Sequence, residues 1–265
     1  EMIIAKLARR DGLQIDNPRQ ALMRLAEAGY QDVLVQRPGY RFAMGELLHS
    51  RMLGCDWHDF SDLTAALNQA VCLGVAAAEP FGYQAVSESI AALRRCAEVY
   101  VAEKFMPSAE LPPLPKILAN SKIRIGYLSG EFRHQATSIL MVELFEKHDP
   151  ECFDIFCFDN GWDDGSDIRR RISASVREIV DISGLSDAEA AQSVRDRQIN
   201  ILVNLNGHFG LGRLGVFALR AAPVQVNYLG FPGTIGASYM DYIIADQHVI
   251  PVEEQDGYVE SVVHM

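Results

Sequence analysis

Residues Leu219–Asp246 read LRAAPVQVNYLGFPGTIGASYMDYIIAD. A strand-like run, Val224 to Leu229, leads directly into Gly230-Phe231-Pro232-Gly233-Thr234-Ile235-Gly236. A second apolar run, Tyr242 to Ala245, ends at Asp246. Glycines packed after a strand let backbone approach a neighbour closely, because no Cβ stands in the way. In an α/β sheet, ligands sit at the carboxyl ends of strands. Such a loop can turn N–H groups toward an anion such as a phosphate. Read alone, it is equally a tight turn that needs glycine for φ > 0.

Working outward, strands alternate with helices from Lys122 onward. Ile123–Leu128, Cys152–Phe158, Ile179–Ile182 and Ile199–Leu205 read as strands. Ala136–His148, Ile168–Val176 and Ser186–Arg197 read as helices, the last with Ser186 as N-cap and Glu189 three residues on. The β-branched run Ile199–Leu205 suits a central parallel strand buried on both faces. The alternation predicts an α/β fold with a Rossmann-like, doubly wound parallel sheet.

The first half reads as helices. Asn17-Pro18 starts one, with Ala21, Leu22, Leu25 and Ala28 at helical spacing and Gly29 as its stop. Pro38-Gly39-Tyr40 opens a second, carrying Phe42, Leu47, Leu48 and Met52. The pair resembles a tetratricopeptide unit, or equally a plain helical hairpin. Asp56 or Asp59 is expected to cap a helix through Leu63, Leu67 and Val71. A further helix is expected over Ser87–Glu103. Pro107, Pro112, Pro113 and Pro115 exclude a helix interior and mark a linker. The domains expected are 1–53 (tetratricopeptide-like), 54–120 (helical linker) and 121–265 (Rossmann-like lobe).

Composition excludes several function classes. The net charge is −11, which disfavours non-specific nucleic-acid or anionic-membrane partners. No apolar run approaches the roughly 20 residues of a membrane span. The five cysteines form no CxxC pair, so a disulfide framework or zinc site is not indicated; buried thiols in a reducing, cytoplasmic setting are expected. Glu1-Met2 reads as a start inside a longer chain, and the abrupt end at Met265 suggests a fragment.

Three predicted strand ends carry chemistry. One holds Ser129-Gly130-Glu131-Phe132-Arg133-His134-Gln135-Ala136-Thr137-Ser138, with two hydroxyls in a helix first turn that could bind phosphate or hydroxyl groups. Another holds Asn204-Leu205-Asn206-Gly207-His208-Phe209-Gly210-Leu211-Gly212-Arg213. The third is the glycine loop. A parallel sheet brings all three to one edge. Asp163-Asp164 invites a metal reading, but capping and first-turn charge account for it. Cys55 and His58 have a spacing a metal could use, though such a pair is more often structural. Arg169-Arg170-Arg171 reads as a solvated face, His208 as a cleft-facing or solvated loop residue, and His148 as a cation at a helix end. Trp57 is expected to anchor helical packing.

The blocks RIGYLSGEFRHQATSILM, CFDNGWDDGSDIRRR, ILVNLNGHFGLGR and VFALRAAPVQVNYLGFPGTIGASYMDYIIAD resemble the protein O-linked N-acetylglucosamine transferase family in order and spacing. GCDWHDF at 54–60 resembles the family's junction between repeats and catalytic region, so the resemblance spans roughly 38–265. It implies a bacterial-type member, the first lobe of a GT-B enzyme, with the second lobe absent here. It implies inverting transfer of N-acetylglucosamine from UDP-N-acetylglucosamine to Ser or Thr of a protein or peptide acceptor, with no metal or other cofactor. The 265-residue chain alone is then expected to show negligible transfer.

The resemblance implies that Thr137 approaches the donor sugar and that Leu229 and Gly230 line its pocket. Arg213 would position donor or acceptor, and Asn206 and Pro232 join the substrate-binding set. Glu131 stands where animal members have aspartate. Gln135 stands where they have histidine, with His134 one position earlier. Glutamine cannot act as a base, so His134, Glu131 or another route must take the acceptor's proton. No counterpart of the family's linker histidine is found near Pro80-Phe81-Gly82. Two rivals remain: a non-catalytic repeat-plus-lobe scaffold that binds peptides, and a same-fold transferase using another nucleotide sugar such as GDP-fucose.

Overall fold

The computed structural model describes residues 18–107 and 122–265. Asn17, Pro112, Pro113 and Pro115 lie outside the described residues. The chain divides into two compact units, Glu1–Tyr100 and Val101–Met265.

The first unit is helical: α1 (Pro18–Gln36), α2 (Ala43–Leu53), α3 (Phe60–Cys72), a single turn α4 (Pro80–Tyr83) and the start of α5 (Ile90–Lys104). Helix α1 does not stop at Gly29. Glycine inside a helix costs only about 1 kcal/mol relative to alanine. The half-buried positions Leu22, Ala26, Tyr30, Val33 and Leu34 carry one face past it. Leu25 and Ala28 are exposed instead. Arg51 ties α2 to α1 through Glu27 at 2.9 Å. Asp59 holds the N-cap position of α3 but is left-handed at φ 54, with no side-chain cap. Asp56 accepts from the His58 N–H instead, so neither aspartate caps. The core gathers Leu48, Leu67, Val71, Tyr83, Ala92 and Cys96. Trp57 is 58% exposed and touches Phe60 edge-on, so it does not anchor this core.

The second unit is a parallel sheet of β1 (Ile123–Ser129), β2 (Phe153–Asp159), β3 (Glu178–Asp181), β4 (Ile201–Asn204), β5 (Val224–Tyr228), β6 (Tyr242–Ala245) and β7 (Ser261–His264). Between them run α6 (Ala136–Lys147), α7 (Asp167–Ser175), α8 (Asp187–Asp196) and the short α9 (Leu214–Ala218). The seven strands lie in the order β3-β2-β1-β4-β5-β6-β7. Every adjacent pair is parallel. The expected α/β, Rossmann-like sheet is present, with β4 at its centre.

Local signals explain the helix starts. Ser186 and Glu189 form a reciprocal capping box on α8. Ser166 caps α7 by accepting from the Arg169 N–H. The core under the sheet collects Tyr127, Phe132, Phe145, Ile155, Ile172, Val203 and Val226. His148 follows α6 but accepts or donates with the Tyr127 hydroxyl at 2.9 Å. Burial lowers its pKa, so it does not serve as a cation for the helix end. Two cysteines are buried (Cys96, Cys157) and three are exposed, against the expectation of buried thiols; all five are free. No helix among the described residues is long and apolar enough to cross a membrane.

Candidate active site

The chain runs outward from β1 to β2 and β3, then returns to place β4 on the other side of β1. In a doubly wound sheet this reversal opens a crevice at the carboxyl ends of the two strands. The loop after β1 carries Glu131, and the loop after β4 carries Asn206. They meet directly: Gly130 N–H donates to Asn206 Oδ1 at 3.1 Å. The loop after β5 closes on the same place. A Cβ on Gly230 would lie 2.0 Å from the Leu205 carbonyl oxygen, so only glycine allows this approach. Gly207 has φ +59, and a Cβ there would meet Phe231 Cβ at 2.3 Å. The three loops therefore converge as the sequence predicts.

Glu131 is the centre of the first loop. It is 7% exposed, and its Oε2 accepts from the Thr137 hydroxyl at 2.7 Å. Its carbonyl accepts from the Ser138 hydroxyl at 2.6 Å. Both first-turn hydroxyls of α6 thus face inward, toward Glu131, rather than out to a phosphate. A Cβ on Gly210 would lie 3.4 Å from both Glu131 Oε1 and Asn206 Nδ2, which puts the loop after β4 against this carboxylate. His134 and Gln135 are exposed beside it. The His134 N–H donates to Asp164 Oδ2 at 2.9 Å. Gln135 holds the N-cap position of α6 without a side-chain cap.

The asparagines at the strand ends form a polar floor. Asn204 and Asn227 are register partners on β4 and β5. Asn204 Oδ1 accepts from the N–H groups of Asn206 and Gly207, both at 3.1 Å. Asn227 Nδ2 donates to the Phe231 carbonyl at 3.0 Å. Asn204 Nδ2, Asn206 Nδ2 and Asn227 Oδ1 have no hydrogen-bond partner among the described residues. Buried polar atoms left unmatched are rare and mark functional sites or ordered water.

The glycine loop itself is strained at its start. Leu229 has φ 73 and is 37% exposed. A left-handed leucine costs on the order of 1–3 kcal/mol and persists where its surroundings enforce it. Pro232 is exposed, and Gly230 is half-buried. His208 is no solvated residue: its Nε2 lies 3.0 Å from the Ile235 carbonyl and its ring meets Phe231 edge-on. Burial lowers its pKa to about 4 against the opposing pull of the Ile235 carbonyl.

Arg133, Arg169 and Arg213 face inward. Arg213 donates to Asp187 (2.7 Å), Asn160 (2.8 Å) and the carbonyls of Ile182 (3.3 Å) and Leu185 (3.0 Å). Its guanidinium bolts the loop after β4 to the loop after β3. Arg169 is no solvated residue either; it donates to Asp159 at 2.5 Å and to the Phe132 carbonyl at 2.9 Å. Arg170 and Arg171 are exposed, paired with Asp167 and Glu146. Arg133 donates to the Gly130 carbonyl and lies 3.8 Å from the Trp162 ring centroid. Asp163 and Asp164 accept from the Gly165 and Ser166 N–H groups two residues on, in turns that precede α7; Ser166 is the cap and Asp167 the first-turn acid, so neither aspartate caps the helix. The His134 N–H, the first of several hydrogen bonds, brings the Asp164 pKa down to about 2. Among the described residues no group of three or more His, Cys, Asp or Glu could hold a metal ion.

The family model described as glycosyl transferase family 41 matches residues 107–265. The chain belongs to glycosyl transferase family 41. A second model, described as cobalt chelatase (CbiK), matches only residues 1–43 and is too short to place the chain. The chain is 31% identical over 238 residues to the probable UDP-N-acetylglucosamine–peptide N-acetylglucosaminyltransferase SEC of Arabidopsis thaliana. That alignment covers 83% of this chain and 24% of the plant protein. It is 36% identical over 145 residues to the UDP-N-acetylglucosamine–peptide N-acetylglucosaminyltransferase of Caenorhabditis elegans, 54% of this chain and 13% of that one. A solved O-GlcNAc transferase mutant of Thermobaculum terrenum superposes with a TM-score of 0.72 at 27% identity. It covers 92% of this chain and 47% of its own. The family resemblance carried by LGFPGT and MDYIIAD is borne out. The chain spans about a quarter of the plant relative's length.

Sequence reasoning missed the inward bolts. Asp159, Asn227 and Glu260 all touch the site's framework. Asn227 was visible as an amide within an apolar strand, as Asn204 is. Glu260 gave no signal, being one glutamate before a short strand.

Proposed function

We propose that the chain supplies the first lobe of an inverting protein glycosyltransferase that uses UDP-N-acetylglucosamine. The observation that carries this reading is the convergence of three loops at the crevice between β1 and β4, in a member of family 41. In this reading the glycine loop and the asparagine floor form the wall of the sugar pocket, with Leu229, Gly230, Pro232 and Asn206 on the donor side. A serine or threonine oxygen of the acceptor attacks the anomeric carbon. The bond from that carbon to the diphosphate breaks, UDP leaves with the bonding pair, and the hydroxyl proton passes to a base.

His134 is the base we assign. It is exposed, beside the loop that holds Glu131, and a histidine can take a proton where Gln135 cannot. Glu131 is held by Thr137 and positions that loop. Donor and peptide acceptor are the partners in this reading, no cofactor or metal is required, and the free thiols fit a cytoplasmic setting. Gln135, exposed and uncapped, is the observation that favours the rival peptide-binding scaffold.

The test uses the full-length protein with a serine/threonine peptide and a panel of UDP- and GDP-sugars, read by peptide mass with and without a chelator. Transfer from UDP-N-acetylglucosamine, insensitive to the chelator, is expected. His134→Ala should lower kcat by about 100-fold or more, within the usual range for general-base removal. Peptide binding without transfer from any donor would replace the enzyme reading with the scaffold.

A further inference from the structure

The glycine loop is gripped from behind by Tyr258–Glu260, the three residues preceding β7. The Tyr258 hydroxyl donates to the Pro232 carbonyl at 3.0 Å. The Val259 N–H donates to Thr234 Oγ1 at 3.2 Å. Thr234 in turn donates its hydroxyl proton to Glu260 Oε2 at 2.6 Å, and the Ile235 N–H donates to Glu260 Oε1 at 2.7 Å. Thr234 Oγ1 also accepts from the Gly236 N–H at 3.1 Å. Both lone pairs and the proton of that hydroxyl are thereby used. On the other side, His208 meets the Ile235 carbonyl.

Glu260 is only 4% exposed. Burial raises its pKa, partly offset by the hydrogen bonds from Thr234 and Ile235. A buried carboxylate is a costly way to fill space unless hydrogen bonds satisfy it. What an apolar residue cannot do is accept two hydrogen bonds from adjacent residues of one loop. Those residues, Thr234 and Ile235, follow the exposed Pro232, so fixing them fixes the curve of the loop that faces the crevice.

We propose that Glu260 is a positioning residue for transfer: its carboxylate clamps Thr234 and Ile235 and so fixes Gly230–Gly236 as the wall of the sugar pocket. The activity arm of its test rests on the transferase reading; the structural arm does not. Glu260→Ala removes both acceptors. Thr234→Val removes the hydroxyl, whereas Thr234→Ser keeps it.

In the full-length protein, amide hydrogen exchange across Gly230–Gly236 should rise about tenfold or more in E260A and T234V, with β4 amides unchanged. T234S should restore wild-type exchange. In the same two variants kcat/KM for the nucleotide sugar should fall about 10- to 100-fold, mostly through KM. The double variant should fall by less than the two single losses combined, because the Thr234–Glu260 hydrogen bond is lost in both. Unchanged loop exchange in folded E260A, or additive losses in the double variant, overturns the clamp. Absence of transfer by the wild type with every nucleotide sugar refutes the transferase reading alone, and loop exchange then still decides the clamp. If E260A does not fold, E260Q carries the same comparison. It keeps the volume but offers one acceptor, so loop exchange equal to wild type would overturn the proposal.

Discussion

Gly230→Ala asks whether the pocket wall depends on one backbone contact. A Cβ at this position would lie 2.0 Å from the Leu205 carbonyl oxygen, 3.0 Å from its carbon and 3.3 Å from Asn206 Cα. All three atoms are backbone, so no side chain can rotate away. Ordinary contact begins at 3.4 Å, so loop and strand end must part by 3.4 − 2.0 = 1.4 Å. That shift strains the Asn227–Phe231 hydrogen bond and the seat of Phe231 against Gly207. Overpacking of this kind costs about 1–3 kcal/mol. A misplacement of about 1 Å near the chemistry costs about 100-fold in rate. Urea unfolding reads the first quantity and kcat/KM for the nucleotide sugar the second. Gly165→Ala is the control. Nothing lies within 4 Å of its Cβ position, and φ is +65. It should cost about 1–2 kcal/mol from left-handed strain and leave kcat/KM alone. Wild-type stability in G230A would refute the close approach of the loop to β4. Full kcat/KM in a destabilised G230A would refute the loop's place in the pocket.

Two further outcomes follow from the same geometry. His208 is held neutral by burial, with its pKa lowered to about 4. The unfolded chain takes up a proton near pH 6.5 that the folded site refuses, so its share of stability is whole above that pH and is lost as pH falls toward 4. Urea titrations at stepped pH should show this slope in the wild type and its loss in His208→Phe; an equal slope in both would refute the burial argument. Arg213→Lys should destabilise by about 1–3 kcal/mol, because an ammonium cannot reproduce the four donations of the guanidinium fork. Donor KM measured below the unfolding temperature should hardly change, and a large rise would return Arg213 to the binding role the family resemblance implies.

The sheet was legible because its signals are local. Apolar runs rich in β-branched residues, a capping box at Ser186 and Glu189, and a glycine loop after a strand each point to one conformation. The convergence of the loops after β1, β4 and β5 follows from parallel strands alone. The direction of side chains in those loops was not legible. Arg213, Arg169 and His208 read as surface or ligand residues because sequence does not show which carbonyls lie within reach. In the structure each finds a backbone carbonyl nearby. In the helical half the helices themselves are where the sequence places them, but one stop and one cap are not. Propensity points to a stop at Gly29 and a cap at Asp59, and tertiary packing overrides both: the half-buried face of α1 continues past Gly29, and Asp59 adopts a left-handed turn.

The inward turn of Thr137 and Ser138 changes how charge is arranged at the crevice. The first turn of a helix after β1 is a common seat for phosphate in doubly wound proteins, because its N–H groups are free and its dipole favours an anion. Here Glu131 sits at that turn and takes the Thr137 hydroxyl at 2.7 Å. A second anion about 5 Å away would meet repulsion of about 3 kcal/mol at an effective dielectric of about 20. Of the nearby arginines, Arg169 and Arg213 are already paired with the carboxylates of Asp159 and Asp187, and Arg133 donates to the Gly130 carbonyl. A diphosphate is therefore disfavoured against α6, while neutral hydroxyls and amides are not. In the proposed transferase reading, the crevice between β1 and β4 then suits the neutral sugar and the acceptor hydroxyl rather than the diphosphate.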